Sequence, residues 1–139
     1  MTSERFFLDT NILVQSLDKS DIKKVKKARQ LLREGAENDS GVISTQVLQE
    51  FYVAATKKLS VEPLATKELL HQFQNMETIV ITAGLISEAV DCSILNRISF
   101  WDSLIVVAAE SAGCSTIWTE DLNSGQIIRG VQIKNPFKQ

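Results

Sequence analysis

The chain has 139 residues, of which 44% are hydrophobic and 23% are charged. This length and balance are typical of a folded protein with one hydrophobic core, so we expect a single domain that spans residues 1–139. The formal net charge of -2 excludes the strongly basic surface of a simple nucleic-acid coat protein. Several acids gathered in one pocket would nevertheless leave the remaining surface neutral to basic.

The cysteines and the apolar runs exclude further classes of protein. Cys92 and Cys114 have no CxxC spacing and no histidine nearby, so neither a disulfide framework nor a zinc site is predicted, and both are expected to be buried thiols. No apolar run is long enough for a signal peptide or for the roughly 20 residues of a membrane span. We therefore expect a cytoplasmic protein with no membrane partner.

Short apolar runs alternate with longer stretches of helical periodicity along the chain. The predicted strands are residues 5–8, 41–44, 78–81, 116–119 and 131–134. The predicted helices are residues 21–37, 45–57, 62–74, 83–96 and 102–112. This alternation is typical of strand-helix-strand units, so the sequence predicts an α/β fold with a mainly parallel sheet.

Two of the predicted helices have unusual surfaces. Residues 104–109 read LIVVAA, and a helix that is apolar on all sides is expected to be buried. The helix at 21–37 has one apolar face that includes Val25 and Leu31, whereas lysines and arginines occupy the rest of its surface. We interpret the basic face as solvated charge, although it also suits the binding of phosphate groups.

Several carboxylates lie where the predicted strands and helices meet. Asp9 follows the first predicted strand, and Asp121 comes shortly after the fourth. Ligands of an open parallel sheet bind beyond the carboxyl ends of its strands. Asp102 stands at the start of the buried helix, where its side chain can face the same edge of the sheet. The three acids are therefore expected to converge.

Glu50 is the fourth candidate, because it borders the apolar stripe of its helix, from which a long carboxylate can reach a cleft. Like charges that are buried together do not all stay ionised without a counterion. The chain has one histidine and two cysteines, so its available ligands are oxygens, which favour Mg²⁺ or Mn²⁺ over zinc. Such ions support phosphodiester hydrolysis.

Each of these residues also has an ordinary structural interpretation. Asp9 and Asp102 are common helix-capping residues, and Asp121 suits a turn. Glu50 is equally typical of a solvated helix boundary, and His71 of a helix surface. Composition and spacing alone therefore leave the function open.

Four segments of the chain together carry a family resemblance. They are FLDTNIL at 7–13, STQVLQEF at 44–51, FWDSLI at 100–105 and WTEDL at 118–122. In this order they resemble a PIN domain, and VQIKNPF at 131–137 is similar to the last strand of bacterial PIN proteins of the VapC toxin type. The resemblance covers nearly the whole chain.

The resemblance implies a three-layer α/β/α fold with a short, mainly parallel central sheet. It further implies a toxin ribonuclease of a toxin-antitoxin system, whose RNA substrate is hydrolysed by water that Mg²⁺ or Mn²⁺ activates. The site residues that match the family's acidic quartet are Asp9, Glu50, Asp102 and Asp121. Thr10 and Asn11 match polar residues that orient the first acid, and Glu120 is an accessory candidate. The expected partners are an antitoxin and a second copy of the chain in a homodimer.

Three other functions fit these residues less well. A non-catalytic RNA-binding scaffold would be expected to have lost at least one of the acids, and all four are present. A phosphatase with an aspartyl nucleophile usually has a second acid two residues on, where this chain has Asn11. A receiver-like phosphoacceptor domain lacks its acceptor aspartate, because the third predicted strand is followed by Thr82.

Overall fold

A computed structural model describes residues 4–138 of the chain. Its strands are β1 (Phe6–Leu8), β2 (Gly41–Ser44), β3 (Glu77–Ile79), β4 (Thr116–Trp118), β5 (Ile127–Ile128) and β6 (Val131–Lys134). They form one sheet in the order β3-β2-β1-β4-β6-β5. The strand pairs are parallel except for β5 and β6, which are antiparallel.

The helices are α1 (Thr10–Gln15), α2 (Ile22–Glu37), α3 (Thr45–Lys58), α4 (Pro63–Phe73), α5 (Ala83–Asn96) and α6 (Phe100–Ser111). The chain moves from β1 to β2 and β3 in one direction, and then returns to place β4 on the other side of β1. Crossovers between parallel strands are right-handed. This reversal therefore puts helices α2, α3 and α4 on one face of the sheet and helices α5 and α6 on the other. The predicted α/β fold with helices around a mainly parallel sheet is confirmed.

The ends of the predicted elements shift by small amounts, for identifiable reasons. Helix α6 begins at Phe100 because the Ser99 hydroxyl caps it and accepts a hydrogen bond from the backbone N–H of Asp102. The antiparallel strand β5 was not predicted. It forms because Arg129 and Gly130 have φ angles of 52° and 79°, which is the left-handed pair that closes a two-residue hairpin between β5 and β6.

Helix α6 supplies much of the hydrophobic core. Residues 103–109 are all buried, and the helix contacts β2, β4 and β6, as expected for a helix that is apolar on all sides. Cys92 and Cys114 are buried and free, which confirms their interpretation as core thiols. Within residues 4–138, no single helix is long and apolar enough to cross a membrane.

Two glycines allow α2 to pack closely on β2. A Cβ atom added at Gly41 would lie 2.7 Å from the Cα atom of Gly35 and 2.9 Å from the sulfur of Met76. Real Cβ atoms do not approach backbone so closely, so any larger residue at position 41 must push the helix away from the strand.

We predict that Gly41→Ala lowers the free energy of unfolding by about 1–3 kcal/mol, which is the usual cost of overpacking a core. Urea unfolding followed by circular dichroism measures the change. The matched control is Gly84→Ala in α5, where the nearest atom to the added Cβ lies 3.7 Å away; it should be neutral or slightly stabilising. Equal effects at the two positions would contradict the close-approach explanation.

Candidate active site

The site lies where the order of the strands reverses, between β1 and β4. The two strands pair in parallel, with Leu8 opposite Trp118. The next residue of each strand is therefore placed at the same edge of the sheet, and these residues are Asp9 and Thr119. A reversal of strand order leaves a crevice at that edge, because the following connections diverge to opposite faces.

Asp9 is a buried carboxylate with hydrogen-bond donors on two sides. Its Oδ2 accepts a hydrogen bond of 2.8 Å from the Thr119 hydroxyl. Its Oδ1 accepts one of 2.7 Å from the backbone N–H of Thr10, as the N-cap of α1. The predicted capping role is thus confirmed for Asp9. It is compatible with a role in the crevice, since α1 begins at the edge of the crevice.

Burial raises the pKa of Asp9 from 3.8 to about 6. The hydrogen bonds from Thr119 and Thr10 act in the opposite direction, whereas the charges of Asp121 and Glu50 raise the pKa further. Three of the four acids therefore share one electrostatic environment. A cation in this environment would favour the ionised form of each of them.

Asn11 joins the start of α1 to the loop that follows β4. Its side-chain N–H group donates hydrogen bonds of 3.1 Å to the Thr119 hydroxyl and 3.1 Å to Asp121 Oδ2. Its Oδ1 accepts a hydrogen bond of 3.0 Å from the backbone N–H of Glu120. Asn11 thereby holds Asp121 at the crevice. It also donates a longer hydrogen bond of 3.4 Å to Asp9 Oδ2, the acid that it was predicted to orient.

Thr119 was missed at the level of the sequence. Its side chain is fully buried, donates to Asp9 and accepts hydrogen bonds from Asn11 and from the backbone N–H of Asp121. The available signal was its position directly after β4, which matches the position of Asp9 after β1. One hydroxyl thus connects the two acids that follow these strands.

Glu50 reaches the crevice from α3. Its Oε1 accepts a hydrogen bond of 2.8 Å from the Thr10 hydroxyl, and α1 packs against α3. Glu50 is exposed, as the helix-boundary interpretation expected, yet its carboxylate is fixed by the residue that follows Asp9. Thr10 therefore orients Glu50 through its side chain and Asp9 through its backbone.

Asp102 comes from the opposite helical layer. The capping interpretation was wrong for this residue, because Ser99 caps α6 and Asp102 is its third residue. Its side chain is free of that role and lines a cavity of about 700 Å³ together with Asp9, Glu50 and Asp121. Thr10, Asn11, Gln46, Lys57, Lys58, Trp101 and Glu120 also line it.

Glu120 has a different surrounding from the other acids. Its carboxylate forms an ion pair with Lys24 of α2, and the same ammonium group lies 5.3 Å from the centre of the Phe137 ring. The charge of Glu120 is therefore balanced within the chain. This arrangement favours Asp121 over Glu120 as the fourth acid. His71 is an exposed residue of α4, as predicted.

The oxygen atoms that line the cavity are of the chemical type that binds a hard divalent cation. Carboxylates, hydroxyls and an amide oxygen are ligands of Mg²⁺ and Mn²⁺ rather than of zinc. Within residues 4–138, no three Asp, Glu, His or Cys side chains are close enough to hold one ion as they stand. Asp9 and Asp121 are instead hydrogen-bonded to Thr119 and Asn11. Shared binding of an ion therefore requires rotation of side chains.

The chain is similar to known proteins in its sequence family and in its fold. The family model of the PIN domain matches residues 6–127. A toxin-antitoxin complex from Klebsiella pneumoniae is 21% identical over 99% of this chain and 100% of that chain, with a TM-score of 0.70. DNA-bound VapBC from Salmonella typhimurium is 20% identical over 96% and 99%, with a TM-score of 0.68.

A third similar structure is VapC20 from Mycobacterium tuberculosis, a sarcin-ricin loop cleaving toxin. It is 17% identical over 84% of this chain and 89% of that chain, with a TM-score of 0.66. At these identities the likeness establishes a shared fold. Among curated proteins, none matches the chain.

The raised pKa of Asp9 predicts a specific dependence of stability on pH. The folded protein binds a proton at Asp9 below about pH 6, whereas the unfolded chain does so near 3.8. Between pH 3.8 and about 6 the folded state therefore binds more protons at Asp9 than the unfolded chain does. As pH rises through this range, the ionisation of Asp9 lowers the free energy of unfolding. At neutral pH, and without a cation, the cost approaches about 3 kcal/mol.

We therefore predict that Asp9→Asn, unfolded by urea in excess chelator, is more stable than the parent protein at pH 7.5, and that this advantage shrinks below pH 6. Mg²⁺ or Mn²⁺ should raise the stability of the parent more than that of the variant. Asp91→Asn, an exposed residue of α5 outside the cavity, is the matched control. An Asn variant that is less stable than the parent at every pH would contradict the assignment.

Proposed function

This chain belongs to the PIN domain family, and from that premise we propose that it is an endoribonuclease dependent on Mg²⁺ or Mn²⁺, and the toxin of a toxin-antitoxin pair. The observation that carries the proposal is the shared cavity, which Asp9, Glu50, Asp102 and Asp121 line from four different elements. The similar folds of the VapC20 toxin and of the Klebsiella pneumoniae complex support it.

In this proposal the same four acids would hold the ion. A bound divalent cation would supply activation of water and stabilisation of the charge that develops on the phosphate during in-line displacement. The chain's own contribution is to position its carboxylates. Before an ion binds, Thr119 and the backbone of Thr10 hold Asp9 at the cavity, Asn11 holds Asp121, and the Thr10 hydroxyl holds Glu50. Rotation of these side chains would then bring the carboxylates together around the ion.

Binding of RNA requires positive charge near the acids, and the end of α3 provides it. Lys57 and Lys58 are exposed and line the same cavity as the four acids. Lysines contact phosphate oxygens and fix the register of a nucleic acid without reading its sequence. The net charge of -2 is therefore compatible with RNA binding, since acids and bases are segregated around the cavity.

We predict that the purified protein cleaves RNA in Mg²⁺ or Mn²⁺ and loses this activity in excess chelator. Asp102→Asn should lower the cleavage rate on the order of 10²-fold or more, because one of the carboxylates that would hold the cation is removed. Its circular dichroism spectrum should be unchanged, since Asp102 does not cap α6. Gel analysis of labelled RNA measures the rates.

The matched control for this experiment is Asp91→Asn, which removes an exposed acid of α5 and should retain full activity. Full cleavage by the parent protein in chelator would reject the metal-dependent nuclease. RNA binding without cleavage, with no effect of Asp102→Asn, would favour the non-catalytic scaffold instead. The two functions are thus separated by one pair of variants and one metal titration.

The proposal includes two protein partners, an antitoxin and a second copy of the chain. The complexes from Klebsiella pneumoniae and Salmonella typhimurium support the antitoxin. The homodimer is supported by α5, which exposes Ile86, Val90 and Ile94 at intervals of one helical turn. An exposed apolar stripe of this kind is typical of a contact surface.

We predict that the chain forms a dimer in solution and co-purifies with the product of the reading frame directly upstream of its gene, which should inhibit RNA cleavage. Light scattering coupled to gel filtration measures the mass of the chain alone and the mass of its complex with the upstream product. A monomer at micromolar concentration would contradict the dimer. An upstream product that neither binds nor inhibits would contradict its assignment as the antitoxin.

A further inference from the structure

Trp101 is a large aromatic side chain on the surface of the cavity. It is 62% exposed, lies in the first turn of α6 and directly precedes Asp102. It lines the same cavity as the four acids. Its exposure costs free energy, because the apolar ring faces water. Exposed tryptophans in a cavity are typical of binding surfaces, since the ring offers a broad, rigid contact.

The position of Trp101 is fixed by two neighbours. The ring of Phe100 meets it edge to face, with 5.1 Å between ring centres and 77° between ring planes. Its backbone carbonyl accepts a hydrogen bond of 3.3 Å from the side-chain N–H group of Gln46 in α3. The ring therefore has a fixed position where α3 meets α6, and it remains exposed to solvent.

Gln46 provides a second, independent observation. It is only 5% exposed and lines the cavity. Within the described part of the chain, its Oε1 has no hydrogen-bond donor. A buried acceptor without a donor is unfavourable, and an N–H or O–H group of a ligand beside Trp101 would supply one. The stacking surface and the free acceptor match the base and sugar of one nucleotide, whereas Lys57 and Lys58, at the other end of α3 on the same cavity, suit the phosphates of the continuing strand.

We propose that Trp101 and Gln46 form a nucleotide-binding subsite next to the acids, in which an unpaired base of RNA stacks on the Trp101 ring. Gln46 Oε1 accepts a hydrogen bond from the same nucleotide. This rests on the proposed function, since the RNA is the substrate of that site. Bases inside a duplex already stack on their neighbours and do not present a free face. The subsite therefore selects unpaired RNA at the point of cleavage.

Fluorescence tests the stacking directly, because the chain has 2 tryptophans. Trp118→Phe leaves Trp101 as the one tryptophan of the chain, and its emission is the signal that is followed. A single-stranded oligoribonucleotide of mixed sequence, titrated in excess chelator so that it is not cleaved, should quench the emission to saturation. A duplex of the same length, and a strand whose bases are replaced by abasic sites, should quench far less at equal phosphate concentration.

Two substitutions of the ring test its contribution to binding. Trp101→Leu removes the aromatic face and should weaken the binding of single-stranded RNA about tenfold. It should also raise KM in Mg²⁺ or Mn²⁺ by a similar factor. Trp101→Phe keeps a smaller aromatic face and should lose less. Tyr52→Leu is the matched control, because Tyr52 is an exposed aromatic residue of α3 outside the cavity, and its removal should leave both quantities unchanged.

The outcomes separate this subsite from the nuclease proposal. Unchanged RNA affinity in Trp101→Leu, or equal quenching by the abasic strand, overturns the subsite even if RNA is cleaved. If Trp101→Leu alters the mass of the protein in solution but not its RNA affinity, the ring is a protein contact and the subsite is likewise overturned. Base-dependent quenching without cleavage in any metal supports the subsite and rejects the nuclease. If Trp101→Leu does not fold, the abasic comparison with the Trp118→Phe protein still decides.

Discussion

The parallel pairing of β1 with β4 is the constraint on which the candidate site depends. It places Asp9 beside Thr119 at one edge of the sheet, although the two residues are 110 positions apart in the chain. The Thr119 hydroxyl then partly offsets the cost of burying a carboxylate, and it also receives hydrogen bonds from Asn11 and Asp121. Without this strand pairing, the acids of the first and last parts of the fold would have no common edge.

The cavity lies between the two helical layers. Asp9 and Glu50 belong to the side built from α1 and α3, whereas Asp102 belongs to α6 and Asp121 to the loop after β4. Hydrogen bonds from Thr10 and Asn11 cross between these elements, and Gln46 joins α3 to α6 at Trp101. Short polar contacts therefore set the spacing of the acids, while the apolar packing of α6 fixes the layers that carry them.

The sequence predicted the elements of this fold more fully than their contacts. Periodicity located the parallel strands and long helices, because each has an apolar pattern of sufficient length. Strand β5 has two residues, too few for any pattern, and the signal for it lay in Arg129 and Gly130. The residue type of Asp102 predicts a helix cap, but Ser99, three residues before it, is also a favoured capping residue and caps α6. Thr119 was missed since a threonine at a strand end carries no charge, and its role follows from which strands are neighbours.

The order of strands also has a consequence for synthesis of the protein. β4 lies between β1 and β6 in the sheet, so Asp9 gains its Thr119 partner only after the chain has been synthesised past β4. Contacts between distant residues form late, because long loops must close first. A nascent chain that still lacks β4 and β6 contains Asp9 and Glu50 but not Asp121. A ribosome must therefore have synthesised the chain through β6 before the whole cavity can assemble.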